Sequence, residues 1–387
     1  MKKKIAILGS TGSIGKSTID IIRKNKKDFE VILLTTNNNH RELIKQVLEF
    51  KPKNIIINNE KKYLFLKKKF NKKSIKIFNN FKSFNSDFKN KIDFTMSSIS
   101  GLDGLKPTLE IIKFSKTIAI ANKESIICAW NLIQKKLKKY KTKFIPVDSE
   151  HFSIWSLLDK NNRNNVEKVI ITASGGPFLK LPLSKFNKIK PRNAIKHPTW
   201  KMGNKISVDS ATLMNKVFEV IEAKKIFNLP YNKILILTHP HSYIHTIIKF
   251  KNGLIKILAH DPDMKIPIFN LLNSEGSKLI KTSQINLEIL NNLNLKKVDT
   301  KKFMLVKILE KLPKNTTLFE TVLITVNDYF VGKFLKKEVN FKKMIFLIDK
   351  YVKSKKFQKY KRIKPKNIED IYRLRNYVSS KMDSLVI

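Results

Sequence analysis

The sequence predicts an α/β protein with three regions: a parallel-sheet domain at the N-terminal end, a central α/β domain and a helical domain at the C-terminal end. Three observations lead to this prediction. Short apolar strands alternate with helical segments over residues 1–149, which implies right-handed crossovers and a parallel sheet. Helical periodicity dominates from residue 311 onward. A chain of 387 residues is also long enough for two or three hydrophobic cores.

The first domain, residues 1–149, contains strand patterns separated by helical segments. Apolar runs bounded by turn residues predict the strands, and apolar residues spaced three or four apart predict the helices. The predicted strands are Lys4–Leu8, Phe29–Thr35, Asn54–Ile57, Phe94–Ser97 and Thr117–Ala121, and the clearest helices are Ser13–Lys24 and Glu42–Phe50.

The central domain, residues 150–282, has a different pattern. A predicted strand at Lys168–Ala173 ends in a Ser-Gly-Gly-Pro turn. The polar, irregular stretch after it is long for a connection and predicts a lid near residues 175–206. The remaining predicted parts are a helix at Ala211–Ile226, strands at Lys233–Thr238 and Tyr243–Phe250, a linker at 283–310 and the helical domain at 311–387.

The composition predicts a cytoplasmic protein. No apolar run reaches the length of a membrane span, and the single cysteine, Cys128, cannot form an internal disulfide. The formal charge of +47 first suggests a nucleic-acid binder. However, only 7 of the 78 basic residues are arginine, which is preferred for phosphate and base contacts, and the lysines are spread along the chain. We therefore interpret the charge as mostly solvated surface and expect neither a nucleic-acid nor a membrane partner.

The segment Gly9–Thr18, GSTGSIGKST, connects the first strand to the first helix. Its end resembles a phosphate-binding P-loop, but the first glycine of that motif would have to be residue 10, which is serine. Gly9, Gly12 and Gly15 instead form a variant of the turn that binds pyrophosphate in dinucleotide-binding folds. An ordinary strand-to-helix turn is the alternative. The position at the first strand–helix junction favours a Rossmann-like domain.

The end of the second strand lacks the carboxylate that usually holds the ribose 2′-hydroxyl of NAD. The sequence there is Thr36-Asn37-Asn38-Asn39-His40-Arg41. The absence of an acid and the presence of Arg41 predict NADP rather than NAD. An asparagine-rich turn without a binding role is the alternative.

Two carboxylates follow the strand-like run Phe144–Val147. Asp148 and Glu150 are separated by Ser149, and on an extended chain their side chains point to the same side. Carboxylates placed so close repel each other unless a cation or a proton intervenes. A strand end with solvated acids is the alternative, and the tripeptide alone favours it.

A third carboxylate lies in the predicted helix of the central domain. Glu219 shares one helix face with Asn215 and Glu222. Near the helix start, Asn215 and Lys216 suit a phosphate, whereas Asp209 is expected to be a helix cap or a structural acid. Hard oxygen ligands fit Mg²⁺ or Mn²⁺ and argue against zinc. The candidate metal ligands are Asp148, Glu150 and Glu219.

These residues belong to a series of segments that resembles the 1-deoxy-D-xylulose 5-phosphate reductoisomerase family. Each segment is weak alone, but they occur in the family's order across most of residues 1–270 and are specific together. The C-terminal third matches mainly in its helical character. The segments are GSTGSIG (9–15), ANKES (121–125), PVDSEH (146–151), SGGPF (174–178), HPTWKMG (197–203), KISVDSATLMNK (205–216) and HDPDMKIPI (260–268).

The resemblance implies an NADP-dependent oxidoreductase. Such an enzyme isomerises 1-deoxy-D-xylulose 5-phosphate and reduces the aldehyde intermediate to 2-C-methyl-D-erythritol 4-phosphate in non-mevalonate isoprenoid biosynthesis. It also implies NADPH, Mg²⁺ or Mn²⁺, a sugar phosphate substrate and a homodimer. The implied metal ligands are Asp148, Glu150 and Glu219.

The resemblance assigns further residues to roles. Lys123, Glu150 and His197 would be catalytic, and Trp200 and Met202 would lie on the lid. The residues implied to bind substrate are Lys123, Ser149, Glu150, Ser174, His197, Ser210, Asn215, Lys216 and Glu219. Those implied to contact NADPH are Thr11, Gly12, Ser13, Ile14, Asn38, Asn39, Asn122, Glu124 and Gly203.

Rival interpretations rest on other residues. His239, His241 and His245 are expected on one strand face, where they imitate a metal site, although core or dimer-interface histidines are the favoured interpretation. Cys128 could be the nucleophile of a semialdehyde-type dehydrogenase, but its apolar helical context favours a buried thiol. A basic nucleic-acid-binding module that kept a dinucleotide fold is a third interpretation of the chain, and a decayed enzyme is a fourth.

Overall fold

The computed structural model describes residues 1–71, 74–158, 163–273 and 279–384. The chain forms two compact units. The first consists of Met1–Ser125, Asn131–Asp148 and Met264–Ile280, and the second of Ile126–Trp130, Ser149–Asp263 and Lys281–Ile387. The division into four parts at residues 149, 282 and 310 stays a prediction.

Helices and strands are numbered separately along the chain. The strands are β1 (Lys3–Leu8), β2 (Phe29–Thr36), β3 (Asn54–Ile57), β4 (Lys76–Phe78), β5 (Ile92–Ser97), β6 (Ser115–Ile120), β7 (Lys143–Pro146), β8 (Val166–Ala173), β9 (Ile234–Thr238), β10 (Ile244–Phe250), β11 (Ile255–Ala259) and β12 (Lys296–Lys297). The helices are α1 (Ser13–Lys24), α2 (His40–Phe50), α3 (Glu60–Lys69), α4 (Phe81–Asp87), α5 (Leu105–Ile111), α6 (Lys123–Tyr140), α7 (Ser149–Leu157), α8 (Pro191–Ala194), α9 (Asn204–Ala211), α10 (Met214–Phe227), α11 (Lys265–Leu272), α12 (Leu287–Asn291), α13 (Phe319–Leu335), α14 (Phe341–Val352), α15 (Lys355–Gln358) and α16 (Ile368–Asp383).

The first unit is built around a seven-stranded parallel sheet with the order β4-β3-β2-β1-β5-β6-β7. The strand order reverses between β1 and β5, which are neighbours in the sheet. In open α/β sheets, ligands bind beyond the carboxyl ends of the strands at such a reversal. The seven parallel strands confirm the predicted parallel-sheet domain.

The second unit contains a five-stranded sheet with the order β11-β10-β8-β9-β12. Only β8 and β9 are parallel to each other; the other pairings are antiparallel. One face of this sheet packs on α10, where Val169 and Ile171 lie in one buried cluster with Val220 and Phe227. This core holds α10, and with it Glu219, against the sheet.

The C-terminal helices α14 and α16 both pack on α13, as the predicted helical region requires. They also contact part of the segment predicted as a lid. The rings of Phe178 and Phe186 lie 5.2 and 5.7 Å from the ring of Phe341 on α14. Residues 183–194 of the same segment form a short 3₁₀ helix and α8. No helix in the described ranges has the length and hydropathy that a membrane span requires.

Most predicted elements differ from the observed bounds by two residues or fewer, and Ser13–Lys24 and Asn54–Ile57 are identical. Two predictions of local backbone conformation were wrong. The helix predicted at Ala211–Ile226 is broken, because Leu213 adopts a left-handed conformation with φ of 58° between α9 and α10. The tripeptide from Asp148 is not extended, because α7 begins at Ser149 and places Glu150 in its first turn.

Candidate active site

Gly9, Gly12 and Gly15 form a close-packed turn between β1 and α1. Gly9 has a φ of +78°, and a Cβ there would lie 2.9 Å from the carbonyl oxygen of Ser98. A Cβ on Gly15 would lie 2.3 Å from the carbonyl oxygen of Gly9. Gly12 precedes α1 and provides no side-chain cap. The turn therefore requires glycine and leaves backbone N–H groups at a helix start, where a phosphate can bind.

The other candidate NADPH residues near this turn are Thr11, which contacts β2, and two residues at the start of α1. The hydroxyls of Thr11 and Thr36 are 2.7 Å apart, and Ser13 and Ile14 are the first residues of α1. Because Thr36 ends β2, Thr11 ties the glycine-rich turn to the neighbouring strand.

The asparagine-rich stretch after β2 caps a helix, as expected for an asparagine-rich turn. Asn39 Oδ1 accepts the backbone N–H of Glu42 at 3.2 Å and caps α2. Asn38 Oδ1 accepts a hydrogen bond from Asn59 Nδ2 at 3.0 Å. Arg41 is exposed and has no hydrogen bond or ion pair within the described ranges. Its guanidinium is therefore accessible to an anion.

Asn122 caps α6 at the carboxyl end of β6. Its Oδ1 accepts the N–H of Ser125 at 2.7 Å, and its Nδ2 donates to the carbonyls of Ile99 and Gly101 at 2.5 and 2.8 Å. Glu124 is buried nearby. The Asn122 side chain thus fixes the loop that presents the next residue, Lys123.

Asp148, Glu150 and Glu219 form the predicted carboxylate group. One carboxylate oxygen from each lies within 4.8 Å of the other two. No other group of His, Cys, Asp or Glu side chains in the described ranges meets the same distance criterion. Three oxygen donors at this spacing suit a hard divalent cation.

Two lysines neutralise the carboxylates. Lys123 pairs with Asp148, and Lys216 Nζ lies 2.6 Å from Glu150 Oε1 and also pairs with Glu219. Burial disfavours the charged form of Lys216, but the two glutamates outweigh burial and raise its pKa. Buried carboxylates require compensating positive charge. Three carboxylates beside two lysines still offer an oxygen donor set that fits a divalent cation.

Two contacts that the sequence analysis missed support the carboxylates. His151 Nε2 lies 2.9 Å from the backbone oxygen of Glu219, so this nitrogen donates, and Thr246 Oγ1 donates to the backbone oxygen of Glu150 at 3.1 Å. Ser149 Oγ donates to the carboxylate of Glu150. His151 directly follows a candidate metal ligand in sequence. Its supporting role could have been predicted from this position, because residues that hydrogen-bond to metal ligands orient them.

Ser174, His197 and Ser210 form a second cluster. His197 Nε2 lies 2.9 Å from Ser174 Oγ and 3.1 Å from Ser210 Oγ. Gly176 permits this approach, because a Cβ there would lie 2.8 Å from the backbone oxygen of Ser210. The contacts join the turn after β8 to α9, two segments that the sequence separates by about thirty residues.

The protonation of His197 follows from its contacts. Its Nδ1 accepts the backbone N–H groups of Thr199 at 3.2 Å and Trp200 at 2.9 Å, so the proton of the neutral ring lies on Nε2. Burial, with the charge of Lys216 second, lowers the pKa of His197 to about 4. At neutral pH the ring is an uncharged donor that faces the two serines.

Asn215 and Lys216 lie in the first turn of α10, which has no side-chain cap. Asn215 Nδ2 donates to Glu219 Oε1 at 2.5 Å. The left-handed residue Leu213 starts this helix where the sequence analysis expected an uninterrupted one. The break therefore creates a helix N-terminus beside the carboxylates, which favours an anion.

The remaining candidate residues of the lid lie between α8 and α9. The Trp200 ring meets the His245 ring edge-on at 6.0 Å. Gly203 precedes α9, and its backbone oxygen accepts the N–H of Ser207 at 3.1 Å. Met202 is half-buried.

The three histidines near β9 do not share one strand face, so that expectation was wrong. His239 follows β9 and contacts the backbone oxygen of Leu293 through Nδ1 at 2.5 Å, whereas His241 is exposed in the turn and His245 lies in β10. His245 stacks on His260 with ring centroids 3.8 Å apart. His239 and His245 are buried, as the core interpretation predicted.

Asp209 and Cys128 also have structural positions. Asp209 lies inside α9 and accepts a hydrogen bond from Asn327 Nδ2 at 2.8 Å, so it is a structural acid rather than a helix cap. Cys128 is 0% exposed, in agreement with a buried thiol. Burial of the sulfur argues against the nucleophile of a semialdehyde-type dehydrogenase.

Comparisons with known proteins identify the same family over nearly the whole chain. Models of 1-deoxy-D-xylulose 5-phosphate reductoisomerase match residues 5–130, and models of its C-terminal domains match residues 144–227 and 260–380. A reductoisomerase of this name from Pelagibacter ubique is 54% identical over 387 residues, which is 100% of both chains. One from Sulfurihydrogenibium sp. is 38% identical and covers 87% of each chain.

Solved structures of reductoisomerases have the same fold. The enzyme from Zymomonas mobilis in complex with NADPH is 31% identical, with a TM-score of 0.88 over 100% of this chain and 99% of that one. A DOX-P reductoisomerase in complex with NADPH, fosmidomycin and magnesium is 29% identical, with a TM-score of 0.90 over 99% and 98%.

Proposed function

This chain belongs to the 1-deoxy-D-xylulose 5-phosphate reductoisomerase family, and on that premise we propose how its residues divide the reaction. The protein is an oxidoreductase of non-mevalonate isoprenoid biosynthesis. It isomerises 1-deoxy-D-xylulose 5-phosphate and reduces the intermediate to 2-C-methyl-D-erythritol 4-phosphate with NADPH.

Asp148, Glu150 and Glu219 hold the metal ion. Magnesium is present in a related structure, and the same oxygen donors also suit manganese. The bound ion would supply a Lewis acid that polarises the substrate carbonyl. Glu150 and Ser149 contact substrate oxygens, and the ammonium of Lys123 stabilises negative charge that develops on them.

The second cluster binds the substrate phosphate. Ser174 and Ser210 provide hydroxyl donors, and neutral His197 donates from Nε2. Asn215 and Lys216 add an amide, a positive charge and the N-terminus of α10. This assignment is supported by the convergence of the donors of Ser174, Ser210 and His197 within hydrogen-bonding distance of one another.

NADPH binds at the carboxyl end of β1, where the glycine-rich turn lies. It supplies the hydride for the reduction. Arg41 is the candidate cation for the 2′-phosphate, and Trp200 and Met202 lie on the lid segment that excludes water. The proposed contact residues are Thr11, Gly12, Ser13, Ile14, Asn38, Asn39, Asn122, Glu124 and Gly203.

The protein acts as a homodimer that uses the second face of the five-stranded sheet. Paired residues Leu235, Ile170, Ile247 and Ile257 form an apolar row across β9, β8, β10 and β11 on this face. Leu235 and Ile257 are 44% and 48% exposed. A row of apolar side chains on the face opposite α10 suits a second copy of the same sheet.

We place the enzyme in the cytoplasm. The only cysteine is buried and reduced, which suits a reducing compartment.

The observation on which the mechanism depends is the cluster of three carboxylates. Replacing Glu219 with glutamine removes one anionic ligand and keeps the side-chain shape. We expect NADPH oxidation with 1-deoxy-D-xylulose 5-phosphate to be lost. Loss of a residue that only hydrogen-bonds to a metal ligand typically lowers metal affinity roughly 10–100-fold. We expect Glu219→Gln to lower the Mn²⁺ affinity, measured by electron paramagnetic resonance, by more than this.

Glu167→Gln is the matched control, because Glu167 pairs with Lys249 at an exposed position. It should leave both readouts unchanged. A Glu219→Gln protein that binds Mn²⁺ like the wild type would show that the metal assignment is wrong, even if the family assignment is right.

A further inference from the structure

A cavity of about 220 Å³ lies among the C-terminal helices of the second unit. Its apolar floor consists of Ile308, Phe319 and Val352, all buried in the fold. Three lysines lie around it: Lys311, Lys353 and Lys361. The cavity shares none of its residues with the proposed active site.

Two of these lysines have no carboxylate partner. Lys353 pairs with Asp349 at 2.5 Å, whereas neither Lys311 nor Lys361 has an ion pair within the described ranges. Lys361 lies 4.9 Å above the ring of Phe319. Burial, with the charge of Lys311 second, lowers the pKa of Lys361, so the two ammonium groups repel each other. An anion between them would relieve this repulsion and accept charge-assisted hydrogen bonds.

The chain around the cavity has one sign of charge. Residues 353–366 include eight lysines and arginines among fourteen positions and no acid. Because the whole chain has 78 basic and 31 acidic residues, most of its lysines have no acid to pair with. What distinguishes Lys311 and Lys361 is that both line one cavity whose apolar floor is buried.

We propose that this cavity binds a small organic phosphate. The phosphate lies between Lys311 and Lys361, and a short apolar group lies on Phe319 and Val352. A volume of about 220 Å³ accommodates a monophosphate with one ring or a short chain. This inference is independent of the reductoisomerase activity.

The test uses phenyl phosphate as the probe and measures lysine acetylation rates by peptide mass spectrometry on the full chain. At a concentration about tenfold above its Kd, phenyl phosphate should slow modification of Lys311 and Lys361 by about tenfold. The exposed lysines Lys342 and Lys343 on α14 serve as internal controls and should not change. Because the readout is local, binding of the probe at the active site does not affect it.

Variants and a second ligand complete the test. Lys361→Gln should remove the protection of Lys311, whereas Lys342→Gln should not. Inorganic phosphate should protect only at concentrations at least tenfold higher, because it lacks the apolar group. Equal protection by inorganic phosphate, or protection of 353–366 by an RNA oligonucleotide but not by phenyl phosphate, would overturn the proposal.

Discussion

Replacing Lys225 with methionine should destabilise the second unit strongly, because it leaves a buried carboxylate without its cation. Lys225 Nζ lies 2.9 Å from Glu320 Oε1, and the two side chains are 4% and 2% exposed. Lys225 also donates to the backbone oxygen of Ile127 at 2.7 Å and to Thr316 Oγ1 at 3.2 Å. The former bond lies beside Ala129, where α6 bends out of helical geometry.

The magnitude follows from what each variant leaves unpaired. Breaking a buried ion pair from one side costs about 3–5 kcal/mol. Glu320 Oε2 still accepts two bonds from Thr317, at 3.0 and 2.8 Å, which places the loss near the lower end of that range. In the double variant Lys225→Met/Glu320→Gln, the glutamine oxygen keeps the bonds from Thr317 and no charge is buried. Its loss should fall to about 1–2 kcal/mol, the value of the bond to Ile127.

Urea unfolding followed by circular dichroism measures these differences. If the two substitutions acted independently, their costs in the free energy of unfolding would add. We expect instead that the double variant is more stable than Lys225→Met alone. Lys249→Met, which breaks the exposed pair with Glu167, is the control and should cost less than about 1 kcal/mol. If Lys225→Met costs no more than this control, or if the double variant is the least stable, the argument about the buried charge is refuted.

Three further predictions address the cofactor turn, His197 and the dimer. Gly15→Ala should weaken NADPH binding and lower Tm, because the new Cβ would lie 2.3 Å from the carbonyl oxygen of Gly9. Gly332→Ala is the control. A Cβ at this position inside α13 has no atom within 4 Å, so the substitution should stabilise the fold by up to about 1 kcal/mol. The pKa of His197 lies at about 4, below the 6.5 of an unperturbed imidazole. The neutral His197 ring therefore contributes to the stability of the fold above pH 6.5, and this contribution is lost as the pH falls through 4. An NMR titration that gives His197 a pKa near 6.5 would contradict this prediction. Ile257→Lys should produce a monomer in light scattering, and an unchanged dimer would exclude the apolar row as the interface.

The amino-acid pattern alone was enough to predict most helices and strands and to identify the family. Alternating apolar strands and helical segments require a parallel sheet, since crossover helices must cover both faces. The local spacing of apolar residues was therefore enough to predict β1, α1 and β3. The order of the short segments identified the family and the residue types of the site, including the three carboxylates.

How these residues meet became known only from the folded chain. The left-handed conformation of Leu213 and the start of α7 at Ser149 changed how Glu150 and Glu219 are presented. The Nε2 atom of His197 faces Ser174 and Ser210, which lie 23 and 13 residues away in sequence, and the role of His151 depends on a carbonyl 68 residues away. Such contacts join segments that lie far apart in sequence, and a sequence pattern reports only what lies within a few turns of each residue.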